Sequence, residues 1–137
     1  MKGSLVLDAE GLAKLAAGDP RATFPFEAIR IRRGRVVTPA TTLTEVLRGG
    51  HRDAPLHRIL RKVTVLPIDS AQARAAGELL GQVGLSGHRC ALDALVATVA
   101  LREHRPVVLL TSDPDDMGRL TEEPGRPHRE RVVVVRV

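Results

Sequence analysis

The chain has 137 residues, of which 43% are hydrophobic and 27% charged, a balance that fits one globular domain over residues 1–137 and excludes a disordered or fibrous protein. Its formal net charge of +5 favours polyanionic partners such as nucleic acid. The apolar runs are all much shorter than the roughly 20 residues of a membrane-spanning helix, so no membrane span is expected.

The start of the chain and its cysteine content both favour a cytoplasmic protein. Asp8 follows the apolar run 5–7 directly, so the apolar region of a secretory signal is missing. The single cysteine, Cys90, has no partner for a disulfide or a cysteine-based zinc site. It is expected to be a small core residue.

Short β-branched and apolar runs alternate along the chain with longer segments of helical character. Strands are predicted at 4–7, 35–38, 63–66, 106–111 and 131–137. Helices are predicted at 9–17, 22–33, 42–48, 55–61, 70–83 and 88–104, the fifth of them capped by Asp69 or Ser70. This alternation predicts an α/β fold, in which helices cover both faces of a parallel sheet.

Several common catalytic motifs are missing. The sequence contains no phosphate-binding P-loop, and the glycines at 81, 84 and 87 lack the spacing of a dinucleotide fingerprint. The five histidines form no helical pair with metal-binding spacing. Phe24 and Phe26 are the only aromatic residues, too few for a base-stacking platform. Any bound nucleic acid must therefore be held mainly through its phosphates.

Acidic residues follow the predicted strands. Asp8 follows the first strand, Asp113 follows the fourth, and Glu45 lies in the helix after the second. Ligands of parallel α/β sheets bind beyond the carboxyl ends of the strands, so these side chains are expected to lie close together. Taken singly, each has a structural alternative: a helix N-cap, a turn residue and a solvated helix acid, respectively.

Asp93 interrupts a helix that is apolar on nearly every side. An ionised carboxylate in such surroundings is costly unless a cation or hydrogen-bond donors meet it. One candidate is an ion pair with Arg89, one helical turn earlier. The other is a divalent cation shared with the remaining acids, and all-oxygen ligands favour Mg²⁺ or Mn²⁺.

The positive charge is concentrated between residues 30 and 62, where nine basic side chains accompany two acids. This stretch is predicted to bind the phosphate backbone of a nucleic acid. The basic residues are Arg30, Arg32, Arg33, Arg35, Arg48, Arg52, Arg58, Arg61 and Lys62.

Four segments resemble, in order, the motifs of PIN-domain ribonucleases, and most closely those of the toxins of VapBC-type toxin–antitoxin pairs. The segments are Leu5-Val6-Leu7-Asp8-Ala9, Thr41-Thr42-Leu43-Thr44-Glu45-Val46-Leu47, Leu92-Asp93-Ala94-Leu95-Val96-Ala97-Thr98-Val99-Ala100 and Leu110-Thr111-Ser112-Asp113-Pro114-Asp115-Asp116. The resemblance implies a three-layer α/β/α sandwich with a parallel five-stranded sheet in the order 3-2-1-4-5. It also implies an endoribonuclease dependent on Mg²⁺ or Mn²⁺, a homodimer, and a small antitoxin partner.

The same resemblance assigns roles to individual residues. Catalytic and metal-binding carboxylates are expected at Asp8, Glu45, Asp93 and Asp113, with Asp116 as an auxiliary metal ligand. Thr111 and Ser112 are expected to be auxiliary, either as hydrogen-bond donors to a bound water or phosphate or as turn hydroxyls. Glu10 departs from the pattern, because many relatives carry Ser, Thr or Asn there, and it is expected to add charge or to pair with an arginine.

Two other readings of the acids stay open. In the first, the protein is a non-catalytic RNA-binding or regulatory module of the same fold, whose acids serve as caps and ion-pair partners. In the second, it is a Mg²⁺-dependent phosphatase or phosphoacceptor domain. That class usually has a second acid directly beside the first-strand aspartate and a lysine after the fourth strand, and this sequence has neither.

Overall fold

The computed structural model describes residues 2–137 and contains a five-stranded sheet. Its strands are β1 (Ser4–Leu7), β2 (Arg35–Pro39), β3 (Thr64–Leu66), β4 (Val107–Thr111) and β5 (Val133–Arg136). Their order is β3-β2-β1-β4-β5, and every neighbouring pair is parallel. The predicted fold class and strand order are confirmed.

Seven α-helices connect and cover the strands. They are α1 (Ala9–Ala16), α2 (Pro20–Ile31), α3 (Thr41–Val46), α4 (Ala54–Leu60), α5 (Ser70–Val83), α6 (Gly87–Arg102) and α7 (Pro114–Leu120). Short 3₁₀ turns occupy His51–Asp53 and His128–Glu130. Asp69 caps α5 in a capping box with Gln72, as expected. No helix in the described part of the chain is long and apolar enough to cross a membrane.

The helix α7 was not among the predicted helices, and a turn at Asp113 was one of the alternatives for that residue. The pair Asp113-Pro114 is typical of turns, but it is equally suited to a helix start. Asp113 is the N-cap residue, and its carboxylate accepts the Asp116 N–H at 3.4 Å. Pro114 occupies the first turn, where its missing N–H costs nothing. Asp113 and Asp116 therefore belong to the same rigid element, the first turn of α7 and its cap.

The hydrophobic core lies in two clusters, one on each face of the sheet. Successive residues of β1 alternate between them: Val6 packs with the cluster that includes α5, α6 and α7, whereas Leu5 and Leu7 pack with the cluster formed by α1 and α2. All three of these side chains are fully buried. The helices therefore form the outer layers of a three-layer α/β/α sandwich.

The sheet reverses its strand order between β1 and β4. From β1 the chain proceeds outward to β2 and β3, and then returns to β4 and β5 on the other side. The N–H of Asp8 donates to the Leu110 carbonyl at 3.2 Å, which closes the carboxyl end of this junction. Gly11 lies so near that a Cβ there would stand 2.8 Å from the same carbonyl oxygen. Switch points of this kind are the usual ligand sites of parallel sheets.

Candidate active site

A pocket of about 460 Å³ opens at the carboxyl end of the sheet, and we call it the acidic pocket. Its polar lining comes from the end of β1, the first turn of α1, α3, α6 and the residue after β4. The lining residues are Asp8, Ala9, Glu10, Ala13, Glu45, Val46, Leu56, Asp93 and Ser112. Three of the four carboxylates predicted to be catalytic therefore share one pocket, although they are far apart in the chain.

Asp8 is held rigidly at the base of this pocket. The residue is buried, and its Oδ1 accepts the Gly11 N–H at 2.7 Å as the N-cap of α1. Burial raises the pKa of the carboxyl, while hydrogen bonds from the Thr111 hydroxyl and the Gly11 amide partly oppose that increase. Asp8 is thus both the helix cap of the structural alternative and a lining residue of the pocket.

Thr111 connects the end of β1 to the turn after β4. Its hydroxyl donates to Asp8, and its Oγ1 accepts the Asp113 N–H at 3.0 Å. Thr111 is fully buried at the end of β4, so its hydroxyl serves the protein itself. The hydrogen bond from the Asp113 N–H is the contact expected of a turn hydroxyl, and a role toward a bound water or phosphate stays a prediction. Ser112, by contrast, is exposed and lines the pocket.

Asp93 is half-buried in α6, and every other acid of the predicted set acts on it. Burial, followed by the charges of Asp8, Asp113, Glu45 and Asp116, raises the pKa of Asp93 to about 6. Among residues 2–137, no ion pair joins it to Arg89. The carboxylates therefore lie near enough to repel one another, with no protein cation to offset the repulsion.

Glu45 reaches the pocket from the short helix α3. It is largely exposed, yet partial burial of its carboxyl, together with the charge of Asp8, raises its pKa. The end of α3 is held by Arg48, whose guanidinium donates to the carbonyls of Thr44 at 3.0 Å and Leu47 at 2.7 Å. These contacts satisfy helix-terminal carbonyls and fix the helix that carries Glu45.

Asp53 completes the support of α3 and was missed by the sequence analysis. It is 4% exposed, and its Oδ2 accepts the N–H groups of Arg48 at 3.0 Å and Gly49 at 2.7 Å. These hydrogen bonds, those from Gly49 first, hold the pKa of the Asp53 carboxyl below its usual value. Gly49 and Gly50 both have positive φ, so the glycine pair was the only sequence signal of this tight loop.

Asp113 and Asp116 approach from α7, beside the acidic pocket rather than as part of its lining. Both are half-buried. The Cys90 thiol lies 3.9 Å from Asp116 Oδ2, and burial is the main reason that the pKa of this thiol is raised. Cys90 is buried as expected, and its weak contact helps place the Asp116 side chain.

The carboxylate oxygens around the acidic pocket are chemically suited to binding a divalent cation. Among residues 2–137, no three acidic, histidine or cysteine side chains are already gathered closely enough to enclose an ion. The available donors are all carboxylate oxygens, which Mg²⁺ and Mn²⁺ prefer. Because the acids repel one another, a cation between them would offset an unfavourable interaction as well as form new bonds.

The predicted basic stretch is divided between two ends of the sheet. Its first four arginines precede or begin β2, at the amino end of the strands, whereas the acids lie at the carboxyl end. There, Arg35 Nε lies 3.7 Å from Glu103 Oε1. Arg48 and Arg52 lie between Val46 and Leu56, two lining residues of the acidic pocket. The last three basic residues line a separate cavity beside α1. These are Arg58, Arg61 and Lys62.

Comparisons with known proteins agree with this architecture. The PIN domain family matches residues 5–122. No curated protein matches the chain by sequence. Among solved structures, VapBC2 from Rickettsia felis, bound to a DNA fragment from its promoter, matches with a TM-score of 0.66 and 15% identity, covering 98% of each chain. At that identity, the similarity concerns the fold.

Proposed function

Because the chain belongs to the PIN domain family, we propose that it is a Mg²⁺- or Mn²⁺-dependent endoribonuclease and the toxin of a type II toxin–antitoxin pair. One observation carries the proposal: Asp8, Glu45 and Asp93 come from three separate elements to line one pocket at the sheet's switch point. The whole chain, 1–137, would act as one PIN-like domain.

The proposed metal ligands are Asp93 and the four acids whose charges raise its pKa. Asp8, Glu45, Asp93 and Asp113 would hold the ion, with Asp116 as an auxiliary ligand. Once bound, a divalent cation would lower the pKa of a water ligand and neutralise charge on the scissile phosphate. The list of ligands is Asp8, Glu45, Asp93, Asp113 and Asp116.

The protein's own contribution is to position these carboxylates. The Gly11 amide and the Thr111 hydroxyl fix Asp8, so little conformational freedom is lost when it binds a ligand. Arg48 and Asp53 hold the helix that carries Glu45. Ser112, which is exposed and lines the pocket, would donate a hydrogen bond to a phosphate oxygen, and Glu10 would add negative charge on the α1 side.

RNA contacts are assigned to the basic residues on the α3–α4 side of the pocket. Arg48 and Arg52 lie in the chain between Val46 and Leu56, two lining residues of the pocket, and both are exposed. Phosphate contacts of this kind are independent of base identity and weaken with salt. The four arginines near the start of β2 lie at the amino end of the strands, away from the acids, and are left out of this assignment.

The proposed partners follow from the resemblance to VapBC toxins. The similar solved structure is VapBC2 bound to a fragment of its promoter DNA. By analogy, we propose a small antitoxin protein as the partner of this chain, together with homodimerisation and a cytoplasmic location.

The test is to map new 5′ ends in total cellular RNA incubated with purified, partner-free protein. We expect ends that appear with Mg²⁺ or Mn²⁺, vanish with EDTA and are absent with Asp93→Asn. Asp115→Asn serves as the matched control, since it removes a carboxylate that is exposed and outside the pocket lining. Metal-independent ends, or equal cleavage by Asp93→Asn, would refute the proposed chemistry.

The non-catalytic RNA-binding module is the second candidate. It is favoured by the lack of a closed metal cluster among the described residues and by the cap roles of Asp8 and Asp113. Folded protein that binds RNA equally well in EDTA, and yields no new ends in any divalent cation, would establish this alternative.

A further inference from the structure

A second pocket, of about 380 Å³, lies beside α1 and α4, and we call it the basic pocket. It is lined by Ala16, Pro55, Arg58, Ile59, Arg61 and Lys62. We propose that this pocket is a subsite for the nucleotide that flanks the scissile phosphate of an RNA strand. The inference rests on the proposed function, because a strand held in the acidic pocket is what reaches the basic one.

The two pockets are lined by successive turns of the same two helices, α1 and α4. The acidic pocket includes Ala13 of α1 and Leu56 of α4, whereas the basic pocket includes Ala16 and Ile59 of the same helices. Each pair of positions is three residues apart, which corresponds to about 4.5 Å along a helix axis. The basic pocket is therefore about one helical turn further along α1 and α4 than the acidic pocket, where the neighbouring nucleotide of a bound strand would lie.

The charges in the basic pocket are available for a ligand. Arg58, Arg61 and Lys62 are exposed, and none of them forms an ion pair with an acid among residues 2–137. No acidic residue lines this pocket. Arg105 shows the opposite situation, since its guanidinium is engaged by both carboxylate oxygens of Glu123 at 2.7 and 2.9 Å.

The rest of the basic pocket is apolar. Ala16, Pro55 and Ile59 lie among the cations, and Pro55 and Ile59 are only partly buried. This combination matches a nucleotide, whose phosphate needs cationic donors and whose ribose carbons and base faces present apolar surface. The absence of aromatic residues from the pocket implies that the base contributes little sequence preference.

The basic pocket lies on one side of the proposed reaction centre, so the subsite is directional. A substrate with nucleotides on that side gains the cationic contacts, and one that ends at the scissile phosphate does not. Removing nucleotides from the side of the scissile phosphate that faces the basic pocket should therefore raise KM. Removing nucleotides from the opposite side should not affect contacts with Arg58, Arg61 and Lys62.

The experiment measures binding of mixed-sequence, single-stranded RNA oligonucleotides of increasing length to the full chain in EDTA, over a range of salt concentrations. The test protein carries Arg58→Gln, Arg61→Gln and Lys62→Gln. The matched control carries Arg74→Gln, Arg102→Gln and Arg129→Gln, which remove the same charge from α5 and α6 on the other face of the sheet and from the turn before β5. Thermal unfolding checks that each protein is folded, and Arg61→Gln alone replaces the triple variant if that variant is unfolded.

We expect the basic-pocket variant to bind RNA about tenfold more weakly and to flatten the logarithmic salt dependence by about 2, since each lost single-strand phosphate contact contributes about 0.7. The control should retain both properties. Equal losses in the two variants, or no loss in either, would overturn the subsite. A changed sedimentation coefficient with unchanged RNA binding would assign the pocket to a protein contact instead and would also overturn it.

Failure of the subsite and failure of the nuclease proposal give different results. Binding in EDTA requires no catalysis, so it reports on the basic pocket alone. If the basic-pocket variant loses affinity as expected but the wild-type protein produces no metal-dependent RNA ends, only the nuclease proposal is refuted. Metal-dependent ends with unaltered binding and KM in the variant would refute only the subsite.

Discussion

Asp8, at the end of β1, and Asp93, in α6, line the same pocket, and the charge of Asp8 adds to burial in raising the pKa of Asp93 to about 6. Two carboxylates that disfavour each other's ionised form are a cost to the metal-free protein. Retaining such a pair makes physical sense when a cation occupies the space between them.

Asp93→Asn should stabilise the metal-free protein while removing activity. The folded-state pKa of about 6 lies above the usual aspartate pKa of 3.8, so wild-type stability falls as pH rises between these values. In EDTA, we expect the Tm of Asp93→Asn to exceed that of wild type by a few degrees above pH 6, and the difference to vanish below pH 3.8. Thermal melts across this range check it; a lower Tm for the variant at neutral pH would contradict it.

Adding Mn²⁺ or Mg²⁺ should raise the Tm of the wild-type protein. A ligand present at 100 times its Kd stabilises the folded state by about 2.7 kcal/mol. Glu45→Gln should reduce this gain strongly, because it removes a pocket carboxylate that is exposed and has little structural role. Melting curves with increasing metal are the measurement, and Asp115→Asn should respond as wild type does. A Tm indifferent to both cations would argue against a metal centre.

Thr111→Val should lower kcat, whereas Thr111→Ser should preserve it. The hydroxyl at this position donates to Asp8 and accepts the Asp113 N–H at 3.0 Å. Valine leaves that N–H without its partner, a loss of about 1–3 kcal/mol in stability. We expect kcat for the mapped RNA to fall about tenfold or more with little change in KM. Equal kcat values for the valine and serine variants would show that the hydroxyl does not position the acids.

Gly11→Ala should be destabilising despite its helical setting. A Cβ at this position would stand 2.8 Å from the Leu110 carbonyl oxygen, which belongs to β4 and cannot easily move. Displacing α1 from β4 should cost about 1–3 kcal/mol and shift Asp8 with it. Gly77→Ala in α5 is the control, since nothing lies within 4 Å of its Cβ, and it should gain up to about 1 kcal/mol. Chemical denaturation compares the two.

Asp53→Ala should lower the Tm at neutral pH and matter less in acid. The folded-state pKa of Asp53 is below 3.8, so the stability it contributes is present above that pH and is lost as pH falls through the folded pKa. Asp53→Asn should retain part of the stability, because one amide oxygen can accept both N–H groups that now bind Oδ2. A Tm difference that is constant down to pH 2 would rule out the carboxylate as its source.

The sequence predicted the strands and the acids because both leave local patterns. Each strand is a short apolar run; Asp8 follows β1 directly, and Asp113 follows β4 after Ser112. Asp93 was identifiable because a charge inside an apolar helix needs a partner. These signals depend on neighbouring residues, and the parallel fold then brings the ends of the strands to one edge.

Features that depend on long-range geometry were not predictable in this way. The stretch 30–62 looked like one basic surface, but β2 runs across the whole sheet within it and separates Arg35 from Arg48. Asp53 looked like an ordinary acid, since its two amide partners are set by a loop with positive φ at Gly49 and Gly50. The helix α7 was hidden because an Asp-Pro pair begins turns and helices alike.

The separation of charge along the strands gives the molecule a permanent electric dipole. Acids gather at the carboxyl end of the sheet, and Arg30, Arg33 and Arg35 lie at the amino end. A distant polyanion exerts a torque on such a dipole and turns the acidic end away. A bound divalent cation reduces the negative charge at that end, so divalent cations would weaken the orienting torque as well as strengthen the encounter.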